Sequence, residues 1–317
     1  MSRSMSRTAT TLLATASLFL VAACGESAAE PGAKAPAAGG DDTIVFAAVP
    51  SEESASLQSQ YEVIIKLLEQ ETGKTVEFQD ATDYSAVIEG QRAGKIDLAG
   101  YGPFSYKIAA DSGVPIEPVA SLIGAPGEKP GYKSHAWAPA GSDIEGLEDF
   151  KGKTICFVDP ASTSGYLYPS AGLLEAGIDP QTDIKPVMAG GHDASVISIN
   201  SGQCEAGFAL DEMPDILTES GQLKEGDVKS VWESEMIMGS PLAMNTESLD
   251  AETQDAIRTA LTEKANVDYL VKAGLCEDAE SCVLPDSKWG YVAVTDKDYD
   301  GVRKVCETTE AEACNAA

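Results

Sequence analysis

Lys153-Thr154-Ile155-Cys156-Phe157-Val158-Asp159-Pro160-Ala161-Ser162-Thr163-Ser164-Gly165-Tyr166-Leu167-Tyr168-Pro169 passes from a short β-branched and aromatic run, through a turn, into residues with helical spacing. The run 154–158 reads as a buried strand, and 164–176 reads as a helix with Leu167, Ala171 and Leu174 among its apolar positions. Between them stand three consecutive hydroxyls, Ser162, Thr163 and Ser164, at the first turn of that helix. Backbone N–H groups there lack intrahelical acceptors, and the helix dipole is positive. Such a turn can hold a tetrahedral oxyanion without lysine or arginine. An ordinary N-cap would need only one hydroxyl.

Outward from this turn, strand-like and helix-like segments alternate, the pattern of an α/β fold. Strands are expected at 43–49, 75–79, 96–99, 116–123 and 134–138, and helices at 56–72, 84–93 and 103–112. After a Gly/Pro loop at 124–131 a second set follows: strands 154–158, 184–188 and 205–210, with helices 164–176, 194–201 and 212–219. A return strand at 241–246 and helices at 251–265 and 267–273 are expected to pack on the first set. The expected architecture is two lobes joined by two hinge crossovers near 138–142 and 234–240, with lobe I at 43–138 plus 241–317 and lobe II at 139–240.

Residues 1–23 carry Arg3 and Arg7 ahead of an apolar stretch too short to span a bilayer comfortably, the form of an export signal. Its end, Val21-Ala22-Ala23-Cys24, resembles a bacterial lipobox, in which Cys24 becomes the lipid-modified first residue. Residues 24–42, rich in Ala, Gly and Pro, then serve as a flexible tether. The net charge is −29, and removing residues 1–23 takes away two positive charges, leaving −31. So acidic a chain is unsuited to nucleic acid, whose phosphates call for clustered Lys and Arg.

Seven cysteines less Cys24 leave six in an exported chain, so disulfides are the default, with fifteen pairings open. Cys276 with Cys282 and Cys306 with Cys314 are close in sequence; pairing them leaves Cys156 and Cys204 for each other. Zinc is the weaker reading, because the chain has no CxxC pair and only two histidines, His135 and His192. No other metal or cofactor is expected.

Two further features fall where strands of the second lobe end and helices begin, the usual ligand edge of an open α/β sheet. One is His192 in Gly190-Gly191-His192; the other is Asp211-Glu212 after the strand at 205–210. Ser, His and Asp together admit a hydrolase reading, but the G-x-S-x-G elbow is absent.

Ser51-Glu52-Glu53-Ser54, Asp83-Tyr84-Ser85, Gly100-Tyr101-Gly102-Pro103, Pro130-Gly131-Tyr132, Asp159-Pro160-Ala161-Ser162-Thr163-Ser164-Gly165, Gly190-Gly191-His192 and Asp211-Glu212 occur in the order seen in a known family. Together they resemble the motifs of the phosphonate/phosphite/phosphate substrate-binding proteins of ABC importers, from about residue 43 to 244. The resemblance implies a type II periplasmic-binding fold whose hinged lobes close on ligand, and a monomer that delivers a phosphorus oxyanion to an ABC permease and its ATPase. It implies that Ser162, Thr163 and Ser164 hold the anion, that His192 donates to it, and that Tyr84 and Tyr132 line the cleft. An acid near Asp211 or Glu212 binds the cationic tail of aminoalkyl phosphonates in some members. Where those members carry a second carboxylate this chain has Ser240, which implies a small substituent. A secreted phosphoester hydrolase and a ligand-presenting sensor of the same fold are the alternative expectations.

Overall fold

The computed structural model describes residues 42–51, 54–309 and 311–315. The export signal, Cys24 and nearly all of the tether lie outside these residues. The first set comprises β1 (Thr43–Ala48), α1 (Ser54–Thr72), β2 (Thr75–Gln79), α2 (Tyr84–Arg92), β3 (Leu98–Gly100), α3 (Pro103–Asp111) and β4 (Ile116–Ile123). The chain then crosses through β5 (Gly131–Tyr132) to β6 (Ser134–Pro139), β7 (Thr154–Phe157), α4 (Tyr168–Glu175), β8 (Lys185–Met188), α5 (His192–Asn200), β9 (Ala206–Leu210), α6 (Met213–Glu219) and β10 (Val228–Glu233). It returns through β11 (Ile237–Met238) to β12 (Pro241–Asn245), α7 (Ala251–Thr259), α8 (Val267–Lys272), β13 (Gly290–Ala293) and α9 (Asp300–Thr309).

Two mixed sheets result, ordered β13-β4-β12-β3-β1-β2 and β10-β6-β9-β7-β8. Period-two alternation explains how each sheet is covered on both faces. In β7, Ile155 and Phe157 join Leu173 and Phe208 in one core, while Cys156 joins Val196, Ile199 and Met213 in another. Ile44 and Phe46 of β1 pack with Ile64, Leu68 and Leu261, and Ala47, the next residue after Phe46, faces Val87, Ile88 and Tyr106 on the other side. Each such fully buried aliphatic or aromatic side chain contributes about 1.5–3 kcal/mol.

One lobe boundary differs from the expectation. Ser134–Pro139 is a strand, but it pairs antiparallel with β9 and β10 in the five-stranded sheet, so the first crossover precedes it at 124–133 rather than 138–142. Both crossovers contribute a short strand to one two-stranded ribbon, Ile237 opposite Tyr132 and Met238 opposite Gly131. Nor does the C-terminal segment stay with the first sheet. Val302 and Ala311 share a buried cluster with Phe104 of α3 and with Leu167 and Tyr168 from the other side.

The disulfides are Cys156–Cys204, Cys276–Cys282 and Cys306–Cys314, with Cα separations of 5.7, 5.2 and 5.6 Å. Cys156–Cys204 ties the middle of β7 to the approach of β9, and Cys306–Cys314 holds the C-terminal turn against α9. No helix among the described residues is long and apolar enough to cross a membrane.

Candidate functional site

Val158 leaves β7 fully buried, and the chain turns at once because Asp159 Oδ1 accepts the Ala161 N–H at 2.7 Å. Ser162 caps the turn that follows: its Oγ accepts the Gly165 N–H at 3.1 Å. The next turn is wider than an α-turn, a π-helical segment over Thr163–Leu167, and α4 begins only at Tyr168. The expected helix start at 164 is thus a π-turn leading into α4. A Cβ at Gly165 would lie 2.2 Å from Val158 Cγ2 and 2.8 Å from Ser162 Oγ, so only glycine lets the turn close on its strand. The Ser164 carbonyl accepts the Ser134 hydroxyl at 2.6 Å, which fixes the turn to β6.

Ser162, Thr163 and Ser164 are all but inaccessible, and they line a cavity of about 90 Å³ between the two sheets. Tyr84, Tyr132, His192 and Ser240 line it too. By this measure a water occupies about 10–15 Å³, so the cavity suits a ligand of a few heavy atoms. Four helix starts converge there: Tyr84 is the first residue of α2, Gly102 caps α3, His192 begins α5, and Ser162 caps the turn into α4. Their positive dipole ends face one small volume. Among the described lining residues there is no lysine or arginine, and the single carboxylate is Asp286.

The titratable donors are neutral. Leu210 N–H donates to His192 Nδ1 at 3.1 Å, which leaves the imidazole proton on Nε2 and makes that nitrogen a donor. Burial lowers the His192 pKa to about 3, so the ring stays uncharged. Burial raises the Tyr84 hydroxyl, partly offset by its bond with Ser162. Tyr132 is pushed up to about 12 by burial, against bonds with Thr163, Ser164 and Ser240.

His192 also implies a pH dependence of folding. An unfolded histidine titrates near about 6.5, above the folded value of about 3, so between these the unfolded chain binds more protons. Its contribution is therefore complete above pH about 6.5 and is lost as pH falls toward 3, by about 2 kcal/mol at pH 5. Denaturant unfolding at pH 7 and 5 should show this slope in the native chain and a shallower one in His192→Gln. Equal slopes would contradict it.

The two lobes touch directly around the cavity. Thr163 Oγ1 accepts the Phe104 N–H at 2.8 Å, and the His192 N–H donates to the Ser51 carbonyl at 2.7 Å. A Cβ at Gly102 would come within 3.1 Å of Thr163 Oγ1, so glycine there permits the approach of α3. Glu212 forms an ion pair with Lys288, which lies just before β13.

Of the residues singled out from sequence, Ser162, Thr163, Ser164, His192, Tyr84 and Tyr132 surround this cavity, whereas Asp211 and Glu212 do not line it. Glu212 is engaged by Lys288 across the cleft. Asp211 Oδ1 is buried with no hydrogen-bond partner among the described residues, and its charge acts on Tyr132 and His135. Sequence reasoning did not single out Gln60, Asp286 or Tyr291, which also line the cavity. The Pro285-Asp286 pair was the available signal, since Asp tolerates the left-handed turn conformation it adopts here, φ 55°.

A larger groove of about 750 Å³ lies elsewhere, lined by Tyr168, Trp232, Met236 and Lys304, but none of Tyr84, Gly102, Ser162 and His192 lines it.

Residues 46–299 match the family model of periplasmic substrate-binding proteins of phosphonate ABC transporters. The chain is 44% identical to the phosphate-import protein PhnD of Mycolicibacterium smegmatis, over 93% of this chain and 94% of that protein. It is 29% identical to the phosphonates-binding periplasmic protein of Escherichia coli, over 68% of this chain and 64% of that one. A binding-protein component of a phosphonate ABC transporter from Pseudomonas aeruginosa superposes with a TM-score of 0.74 at 28% identity, covering 84% of this chain and 86% of its own. PhnD1 of Prochlorococcus marinus, solved with methylphosphonate, shares the fold at a TM-score of 0.73 and 17% identity, covering 86% of this chain and 100% of its own. With the two-lobed α/β architecture and the order of motifs along it, these matches make the chain a member of the phosphonate ABC transporter periplasmic substrate-binding protein family.

Proposed function

We propose that this chain is the extracytoplasmic binding protein of an ABC importer for a small phosphorus oxyanion, a phosphonate, phosphite or phosphate. The convergence of four helix starts and neutral hydroxyl and imidazole donors on one 90 Å³ cavity carries this reading. Ser162, Thr163 and Ser164 hold the oxyanion, His192 Nε2–H donates to it, and Tyr84 and Tyr132 close over it. The liganded chain then presents both lobes to the permease, which works with its ATPase. Cys24 tethers it as a lipoprotein to the outer face of the membrane, and it acts as a monomer.

Such a site binds an anion in a chain of net charge −29 because distant surface charges are screened beyond about 8–10 Å, whereas hydroxyls and helix-end amides act at contact. The chemistry is binding rather than hydrolysis. A triad histidine needs a carboxylate on one nitrogen, but His192 Nδ1 is taken by the Leu210 amide. The small cavity, Ser240 on its wall and the ion-paired Glu212 favour a ligand without an aminoethyl tail.

A thermal-shift panel on protein stripped of co-purified ligand tests this. Phosphate, phosphite or methylphosphonate should raise the melting temperature with a dependence on RT ln(1 + [L]/Kd), 2-aminoethylphosphonate less, and sulfate little. No rise with any phosphorus anion would overturn the assignment, and turnover of a chromogenic phosphoester would favour the hydrolase.

A further inference from the structure

Lys288 of lobe I and Glu212 of lobe II form, among the described residues, the one ion pair that joins the two lobes. Neither residue lines the cavity, so neither is placed to touch a ligand in it. Both stand on stiff supports. Cys282 and Leu284 are buried in the lobe I core, the Lys288 N–H donates to the Pro285 carbonyl at 3.2 Å, and the Trp289 N–H donates to the Ile123 carbonyl at 3.0 Å. Lys288 is thus carried on an arm fixed to β4. Glu212 heads α6, and its carbonyl accepts the Asp215 and Ile216 N–H groups, each at 3.1 Å. Its side chain caps nothing and, among the described residues, accepts from Lys288 alone. The hydrogen bonds of Thr163 with Phe104 and of His192 with Ser51 also cross between the lobes, but they involve cavity residues and only uncharged groups. A charged contact outside the cavity acts on the lobes and not on the ligand.

We propose that the Lys288–Glu212 pair is a latch, formed when the lobes meet, that slows release of the bound oxyanion without contacting it. The inference rests on the closure reading of the proposed function and adds the residues that hold the closed form. A ligand enclosed between two lobes leaves only when they part, and parting draws Glu212 away from Lys288. A contact made in the closed form alone adds its free energy to the apparent affinity, chiefly through the rate of release. The side chains are 20% exposed for Lys288 and 40% for Glu212, so the contribution is modest and sensitive to salt. Its sign identifies it. By charge alone, removing a carboxylate near an anion site tightens anion binding or, where screened, leaves it unchanged. Removing one arm of a latch loosens it.

Stopped-flow release and titration calorimetry on the full chain, stripped of bound anion, test this with phosphate and methylphosphonate as probes. The variants are Glu212→Gln, Lys288→Met and the two combined. Each single variant should release anion roughly two- to fivefold faster than the native chain, and the double variant no faster than either single one. Raising salt to about 0.5 M should shrink the gap between native and variant chains. Melting temperatures of the unliganded variants should stay near the native value, since a partly exposed side chain that caps nothing adds little to folding. A Glu212→Gln chain that holds anion as tightly as the native one or more tightly, a loss confined to one single variant, or losses that multiply in the double variant would each overturn the latch while leaving the oxyanion reading intact. Failure of the native chain to bind either anion would overturn that reading, and the latch with it.

Discussion

Thr163→Val is expected to weaken oxyanion binding by about 10²- to 10⁴-fold, while Thr163→Ser stays within about tenfold of the native chain. Valine keeps the shape of threonine and removes only the hydroxyl. That oxygen accepts the Phe104 N–H across the cleft, so the closed form of the variant would strand a buried amide at a cost of about 1–3 kcal/mol. The hydroxyl proton remains available to the anion, and a charge-assisted bond there adds about 1.5–3 kcal/mol. Because the same atom serves closure and the proposed ligand contact, the two losses fall on one measurement. Calorimetric titration of phosphate into the three proteins checks it. A valine variant within threefold of native affinity would show that the hydroxyl serves neither purpose.

The second large effect is on stability. Replacing Cys156 and Cys204 together by alanine should lower the stability of the five-stranded lobe by about 4 kcal/mol and its melting temperature by roughly 10 °C. The bridge closes a loop whose ends are 48 residues apart, and the entropy removed from the unfolded chain grows with that length. Cys276–Cys282 and Cys306–Cys314 close loops of only 6 and 8, so each should matter less to global unfolding. Scanning calorimetry of the double variant isolates the contribution, since a reductant would open all three bridges. A fall of less than 2 °C would mean that packing around β7 and β9 already restrains the unfolded chain.

Local chemistry was legible where it is carried by contiguous residues. Strand 154–158, the three hydroxyls and the helix beyond them reproduce in the structure apart from one extra-wide turn, because a β-branched run, a cap and Gly165 each act over a few residues. His192 could be placed at a strand-to-helix edge from its glycines, but its tautomer could not: that depends on the Leu210 amide, eighteen residues away and reached only through the sheet. Ser134–Pro139 shows the limit for strands. Its alternation marked it as β, while membership of the second sheet came from pairing with β9 and β10, which no local pattern encodes.

The acidic pair marks the same limit for site residues. Asp211 and Glu212 follow β9 as expected of ligand-facing positions, yet Glu212 meets Lys288, brought beside it by β13 joining the far sheet. Charges find their partners in space, and a partner seventy-six residues distant is invisible to spacing along the chain.

By itself the sequence determined the α/β alternation and the three-hydroxyl turn between strand and helix, since these follow from periodicity, capping and the placement of adjacent residues. Only the tertiary structure decided which strands share a sheet, which donors converge and how little space they enclose. The physical reason is that burial and hydrogen-bond satisfaction are properties of an enclosed volume, and a volume is defined only when distant segments have packed around it.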